Sequence, residues 1–596
     1  MSFRLYVPRR WPALLTLLLC GTFAALAADA PSDAGAPSPA PAAPPARAPL
    51  SQNVTINLIN RLVERGLLPQ SDADELIKQA EADAAQARAE VAAPGATHPA
   101  AGTAPAPDGT VRVTYVPEVV KNQIREEIKG EVLAQARAEH WAQPDAVPDW
   151  VARYHFLGDI RVRLQGMFYP SGNDDTGAFP NFNAINTGAP FDVSGSVFSP
   201  QLNVNQNRKL LRLRARFGTE IDLGEGFTAG FRLATGSDNQ PVSENQTFGV
   251  ANNGQGGNFS KYAIWLDRGF VRYQYGEPDQ NISVLLGRFD NPFFSTTMIW
   301  AADLGFDGLA AKIRTEVTDG VTPFLTVGVF PVFNTDLNFA TIQPAKFKST
   351  DRWLYAAQAG ADVKVTKEVN VKFAAALYDF ENISGRLSSP YTPLTASDQG
   401  NTDDTRPTFA QTGNTYRALR NIVPTALNGF GTIDQFQYFG LASAFREFVL
   451  TTRVDFNRYD PFHVWFDGEF VQNLAFDRAA VTAIAVNNLG SGAPGTYQGG
   501  ATGWYVNFNL GSAALEKRGD WNVALGWRRV ESDAVVDGFA DSDFNNGGTN
   551  AQGYTLQGNY ALSKRVALGL RWMAANQIAG PPLRDDILFF DLNAKF

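Results

Sequence analysis

The sequence predicts an all-β transmembrane antiparallel β-barrel of about sixteen strands, preceded by a small helical segment of coiled-coil character. Three observations predict it. From about Gly158 onward, apolar and polar residues alternate with period two over long runs. A tilted strand needs about 9–11 residues to cross a bilayer, and many of these runs reach that length. The connections between runs alternate between short and long. Hydrophobic residues make up 44% and charged residues 19%, with a mean hydropathy of -0.18. That is too polar for a bundle of membrane helices, but it suits a wall whose every second residue faces water.

The N-terminus reads as a secretory signal over residues 1–27. Arg4, Arg9 and Arg10 form its basic region, Trp11 to Leu26 its apolar core, and Ala25-Leu26-Ala27 its cleavage site. The competing reading, a single membrane anchor, meets a short apolar run followed directly by Ala/Pro-rich sequence. The one cysteine, Cys20, lies inside this segment, and Leu19 stands where a lipoprotein signal carries a small residue. The mature chain then has no thiol, which excludes disulfides, cysteine nucleophiles and thiolate metal sites.

Residues 28–50 form an Ala/Pro-rich linker. Over 51–91, Val54, Leu58, Leu62 and Val63 recur at helical spacing, Gly66 and Pro69 interrupt, and Ser71 can cap a second helix carrying Leu76, Ile77 and Ala80. This predicts a helical hairpin. A second linker covers 92–110. Within 111–150, a helix from Pro117 to about His140 aligns Val120, Ile124, Ile128 and Val132 in one apolar stripe. A lone helix cannot bury such a stripe. It packs either on a partner helix from another copy or on the barrel rim.

The barrel is expected over 151–596. In its first strand Ile160, Val162 and Leu164 alternate with Arg161, Arg163 and Gln165. In the second, Leu211, Leu213, Ala215, Phe217, Ile221 and Leu223 alternate with Arg212, Arg214, Arg216, Glu220 and Asp222. The turn Gly224-Glu225-Gly226 leads to Phe227, Ala229, Phe231 and Leu233. Tyr262 to Tyr275 alternates poorly. Short connections include Thr366 to Glu368 and Ser563 to Arg565; long ones include Pro170 to Gln206 and Glu381 to Gln435. Short periplasmic turns and long outer loops are the habit of outer-membrane barrels, and an even strand number puts both termini in the periplasm. The last strand faces Leu588, Phe590, Leu592, Ala594 and the terminal Phe596 one way. An outward aromatic at that place resembles the assembly signal of outer-membrane machinery substrates, carried here by Phe590, Leu592 and Phe596.

Several stretches together are similar to the bacterial putative-porin family. They are Ile56 to Lys78, Val116 to Leu133, Pro148-Asp149-Trp150 leading into Gly158-Asp159-Ile160-Arg161-Val162-Arg163, and Gly287-Arg288-Phe289-Asp290-Asn291-Pro292-Phe293. Asp533-Ala534-Val535, Asp541-Ser542-Asp543-Phe544 and Gly547-Gly548-Thr549-Asn550 complete the set. The resemblance runs from about Ser51 to Phe596. It implies an outer-membrane address and a water-filled channel for passive diffusion of small hydrophilic solutes, and it implies no established substrate. A trimer is the porin-like expectation. The expected partners are outer-membrane lipid, the assembly machinery and the solutes.

Selectivity in a channel comes from lumen charges and the narrowest point. Arg161, Arg163, Arg212, Arg214 and Arg216 share one face, Arg232 can join them, and Glu220 and Asp222 lie on the same face. In classical porins the third long loop folds inward opposite an arginine ladder. That resemblance makes Asp290, Asp303 and Asp307 candidates for a constriction, with a preference for anions. Alternatively the arginines only solvate the lumen or pair with Glu220 and Asp222. Tyr169, Tyr275, Trp353, Trp504, Trp527, Tyr554 and Trp572 suit interfacial girdles, or a sugar-binding track in the lumen. Asp541, Asp543 and Asn545 have calcium-loop spacing, but Asn546 replaces the usual glycine and Gln552 the bidentate Glu. No metal or cofactor is expected.

The net charge of -9 argues against nucleic acid as a partner. A barrel enzyme is one alternative. Of His98, His140, His155 and His463, only His463 is expected among the barrel strands, with no nucleophilic serine beside it. An energised receptor needs a folded plug and more strands. An envelope-tethering barrel would use the Val54 to His140 helices.

Overall fold

The computed structural model describes residues 73, 74, 78 and 149–596, apart from 175–176, 196–197, 251–255, 278–279, 336–349 and 460–461. The signal, both linkers and the Pro117 to His140 helix lie outside the described residues. So does the 51–91 hairpin, except for Ala73, Asp74 and Lys78, which are helical. The chain divides into two units, Met1–Ile124 and Arg125–Phe596, and the barrel belongs to the second.

A bilayer core offers no hydrogen-bond partners, so a spanning sheet must pair every strand on both sides. The chain does this with β1 (Tyr154–Phe168), β2 (Arg208–Gly224), β3 (Phe227–Ala234), β4 (Trp265–Glu277), β5 (Gln280–Asp290), β6 (Gly305–Arg314), β7 (Val321–Phe333) and β8 (Arg352–Lys364). They are followed by β9 (Val369–Glu381), β10 (Phe445–Phe456), β11 (His463–Asn473), β12 (Thr502–Gly511), β13 (Trp521–Val530), β14 (Ala551–Ala561), β15 (Val566–Gln577) and β16 (Arg584–Lys595). Each strand pairs antiparallel with its sequence neighbours, and β16 returns to β1. The sheet has 17 segments. Sixteen make the ring, and the remaining one, Gln246–Thr247, pairs with Arg212 and Leu213 of β2 where the short β3 no longer covers it. Closure ends with Gly158 and Phe596 exchanging two backbone hydrogen bonds of 3.0 Å. Gly158 is required there, because a Cβ would come within 2.5 Å of the Phe596 ring.

Period two sets the faces. On β1, Ile160 and Leu164 are exposed, while Arg163 between them is 2% exposed. On β16, Leu588, Phe590 and Leu592 are exposed, whereas Ile587 and Phe589 are buried. The outer wall is therefore apolar. It carries a row of aromatics on β12 to β14, with Trp504 6.3 Å from Trp527 and Trp527 4.2 Å from Tyr554. Tyr169 does not join this girdle. It is buried among Phe179, Val204 and Leu583, and its hydroxyl accepts from Asn546.

The poor alternation of β4 has a local cause. Arg232 faces Arg268 while Leu233 faces Leu266, so Asp267 is an extra, bulged residue. The bulge shifts the inward register and turns Arg268 into the barrel.

Loop rhythm departs from strict alternation at two places. The connection 578–583, at the long-loop end, is shorter than 512–520 at the other end. It is compact because Asn550 closes it from the side, donating to the Ala579 carbonyl at 2.8 Å and accepting from the Ala579 N–H at 2.9 Å. At the short-turn end, Gly224, Glu225 and Gly226 all have positive φ, a conformation that glycine supplies without steric cost.

The long loops do not stay on the surface. Phe182 and Ile185 from 169–207, Met298 and Trp300 from 291–304, Tyr416 and Leu441 from 382–444, and Val535 from 531–550 share one buried apolar cluster with Tyr378 and Val449 of the wall. Asn414 binds two of these loops together. Its amide donates to the Ser532 and Val535 carbonyls at 2.6 and 2.8 Å and accepts from the Asp537 N–H at 2.7 Å.

Closure makes a direct prediction. Val162 of β1 and Leu592 of β16 are opposite one another on the outer face. Their Cβ atoms should be about 4.5–5.5 Å apart, as in any directly opposed pair. The Val162→Cys/Leu592→Cys variant should cross-link under mild oxidant in membranes, seen as a reducible gel shift. The Val162→Cys/Leu525→Cys pair should not.

Candidate functional site

The inner face of β1 and β2 presents a ladder of like charges. Arg161 lies directly opposite Arg214, Arg163 opposite Arg212, and Asp159 opposite Arg216. Like charges across a strand pair are destabilising, so the ladder requires carboxylates from elsewhere. They come from neighbouring strands, where Asp591 of β16 holds Arg163 at 2.8 Å, and from loops, and not from Glu220 and Asp222. Glu220 pairs with Arg272 at 3.1 Å. Asp222 sits at the short turn, where Oδ1 accepts from the Gly224 N–H at 2.8 Å.

The 291–304 loop supplies the central partner. Asp303 accepts from Arg214 Nη1 at 3.0 Å and lies 3.8 Å from Arg216. Asp159 bridges the same two guanidiniums at 2.9 and 2.6 Å. Asp290, at the end of β5, reaches Arg232 at 3.2 Å and Arg268 at 2.7 Å. Asp307 lies on β6 and is occupied by Arg288 at 2.9 Å. Of the three candidate constriction carboxylates, Asp303 thus meets the β1–β2 ladder, Asp290 joins its continuation on β3 and β4, and Asp307 joins neither.

The same loop crosses the lumen. Phe294 exchanges hydrogen bonds of 2.8 Å with Gln358 on β8. The Thr296 N–H donates to Glu469 on β11 at 2.9 Å. Thr297 accepts from Arg528 on β13 at 2.9 Å. In a sixteen-membered ring, β5 and β13 face each other across the full diameter. The loop leaves β5, touches the far wall and returns to β6.

The 531–550 loop folds inward as well. Asp541 pairs with Arg528 at 3.0 Å. Asp543 pairs with Arg571 of β15 and with Arg163 at 3.3 Å. Burial alone would raise the Asp543 carboxyl, but Arg571, Arg163 and Arg161 outweigh it and hold the group well below the usual carboxylate range. These two carboxylates, which have calcium-loop spacing in the sequence, are occupied by guanidiniums. Among the described residues no group of three His, Cys, Asp or Glu side chains is arranged to hold a metal.

Three participants escape sequence reasoning. Arg268 is 2% exposed and binds Asp267, Asp290 and the carbonyls of Asp303 and Leu304. It thereby fixes the returning limb of the loop. The disturbed alternation around it was its only signal. Glu244, in a loop without periodicity, is buried beside Arg216 and Arg232 at 3.4 and 3.6 Å. Glu469 reads as an ordinary inward polar residue, yet it holds Thr296 and Thr451.

Two ladder members touch no carboxylate among the described residues, although Asp303 and Asp591 lie near Arg161 and Asp543 near both. Arg161 donates to Asn245 at 2.7 Å, and Arg212 to Gln165 at 3.2 Å. Their Nε atoms are buried and bind nothing. Lys312 and Lys372 also make no direct carboxylate contact among the described residues, although Asp362 lies cross-strand from Lys372. Lys372 lies over the rings of Phe294 and Phe324 at 4.4 and 5.3 Å.

Arg268→Ala should leave two loop carbonyls without their donor and Asp267 and Asp290 with Arg232 alone, at a cost of about 1–3 kcal/mol. The measurement is the urea midpoint of the detergent-solubilised barrel. Arg268→Lys should recover only part of the loss, because an ammonium cannot reproduce the forked contacts.

A sequence model of the family described as Putative porin matches residues 52–596. No curated protein matches. Among solved structures, the outer membrane channel DcaP of Acinetobacter baumannii is 10% identical, with 74% of this chain and 97% of that chain covered and a TM-score of 0.33. OprB of Pseudomonas putida is 10% identical, with 74% and 94% covered and a TM-score of 0.38. An anion-selective porin from Comamonas acidovorans is 11% identical, with 74% and 99% covered and a TM-score of 0.33.

Proposed function

The chain belongs to the Putative porin family, and from that premise we propose that its outer-membrane channel, water-filled and passive, prefers small hydrophilic anions. The observation that carries the preference is the set of inward cations that touch no carboxylate among the described residues, Arg161, Arg212, Lys312 and Lys372, around a loop that narrows the lumen. A cleft with low-dielectric walls and one excess sign of charge concentrates the opposite ion. The chain as a whole carries -9, so the preference belongs to the lumen and not to net charge.

With the short turns in the periplasm, the packed loops face outward and the N-terminal segment is periplasmic. We read the barrel as one subunit of a homotrimer that diffuses solutes and catalyses nothing. Light scattering of the detergent complex measures the subunit number.

Planar-bilayer recording in a salt gradient tests the preference. The reversal potential should indicate anion selectivity. Neutralising Arg161, Arg212, Lys312 and Lys372 together to Gln should move it toward zero. Cation selectivity in the wild type, or no movement in the variant, rejects the preference. A stable barrel that never conducts rejects the channel.

Selectivity should also depend on pH through Glu244. Burial first, then Asp303 and Asp267, push its carboxyl up to about 8, against the opposing pull of Arg216 and Arg232. Below that pH the group is neutral. As pH rises through it, one negative charge appears beside the ladder. Anion selectivity should therefore fall between pH 7 and 9, and Glu244→Gln should remove that step from the reversal-potential titration.

A further inference from the structure

The inner wall has a second, uncharged half. Asn507 and Asn509 on β12, Asn522 on β13, Gln557 and Asn559 on β14 and Asn593 on β16 all occupy inward positions toward the short-turn end. Register makes them neighbours. Asn522 faces Asn559, Ala524 lies between Asn509 and Gln557, and Asn593 faces Arg161. Among the described residues, the inward positions of β12 to β15 below Arg528 and Arg571 carry no charge. The facing strands carry Arg272 on β4 and Lys312 on β6.

The amides are only partly satisfied by one another. Asn507 donates to Asn509 at 3.0 Å, Asn509 to Asp467 at 3.0 Å, and Asn559 to Asn522 at 2.8 Å. Gln557 and Asn593 have no side-chain hydrogen bond among the described residues. Each amide offers two donors and an acceptor with two lone pairs, so the row has spare capacity of both kinds. Two glycines keep it accessible. A Cβ at Gly526 would lie 3.1 Å from Asn507 Oδ1 and 3.3 Å from the Tyr505 ring, and one at Gly569 would lie 3.1 Å from Asn559 Oδ1. The half-buried Tyr505 ring therefore lies beside the amides, an apolar face next to paired donors and acceptors.

From this arrangement we infer that the amide row is a subsite for polyhydroxylated monocarboxylates, compounds of the sugar-acid type, with Arg161 receiving the carboxylate. The inference rests on the channel reading above and names its solute class. A hydroxyl is donor and acceptor at once, so vicinal hydroxyls match neighbouring amides. A bare halide or a short alkyl carboxylate cannot use the row. A neutral polyol can use the row but gains nothing from Arg161, the ladder cation opposite Asn593 that touches no carboxylate among the described residues.

Single-channel recordings with gluconate, sorbitol and acetate as blockers test this. Gluconate should block at concentrations about tenfold lower than either of the others. Gln557→Ala/Asn559→Ala should weaken gluconate block about tenfold and leave acetate block where it was. Arg161→Gln should bring gluconate to the level of sorbitol. Acetate equal to gluconate, or an amide variant that blocks normally, overturns the role of the row. Sorbitol equal to gluconate overturns the role of Arg161. Titration calorimetry of gluconate into the detergent-solubilised barrel reads binding without conduction. A barrel that binds gluconate but passes no current fails the channel reading and keeps the subsite; one that conducts without discriminating the three solutes fails the subsite alone.

Discussion

Lipid accepts and donates no hydrogen bonds, and that deficit governs the molecule. It requires β16 to meet β1, since an open edge would leave a row of backbone groups unpaired. Once the ring is closed, period two becomes an inside and an outside. Apolar residues are pressed onto the lipid face, and most polar strand residues are pressed inward. Arg161 and Arg214 are opposed because closure and register leave them no other face. The charge problem in the lumen is thus a consequence of solving the hydrogen-bond problem in the wall.

The loops answer that charge problem. Asp303, Asp541, Asp543 and Glu244 all come from connections between strands, and each ends on a guanidinium of the wall. Loops are therefore not decoration on a finished barrel. With Asp159 and Asp591 of the wall, their carboxylates balance part of the ladder, and their apolar residues pack against one another in its mouth. What they leave unbalanced is as informative as what they neutralise. Arg161, Arg212, Lys312 and Lys372 touch no carboxylate among the described residues, and the β12–β15 wall offers amides in place of charges. One pore thus presents two chemistries to a passing solute.

Much of the wall was legible in the sequence, because its determinants are local. Ile160, Val162 and Leu164 on one face need only an alternating pattern and a membrane to be placed. The arginines of β2 follow for the same reason. The partners of those arginines were not legible. Asp303 could be suggested by likeness to other porins, but Glu244 and Asp543 lie in segments without period, and Asp543 meets Arg163 380 residues away. Arg268 was hidden by one inserted residue, Asp267, which shifted the inward register of β4. Asn414 could not be found at all, since its role depends on two loops meeting. The family-like stretches gain a physical reading here. Asp290 serves Arg232 and Arg268, Asp533 ties Thr415 to Tyr497, and Thr549 donates to the Ser532 carbonyl.

A ring of single strands is stiff along its axis and weak against flattening. The bilayer squeezes it from the side, and an unbraced cylinder yields by going oval. The 291–304 segment runs from one wall to the opposite one and is fastened at Gln358, Glu469, Arg528 and Arg214. It is a diametral strut. Its anchors set the width of the barrel in one direction, so the solute path keeps its cross-section under lateral pressure.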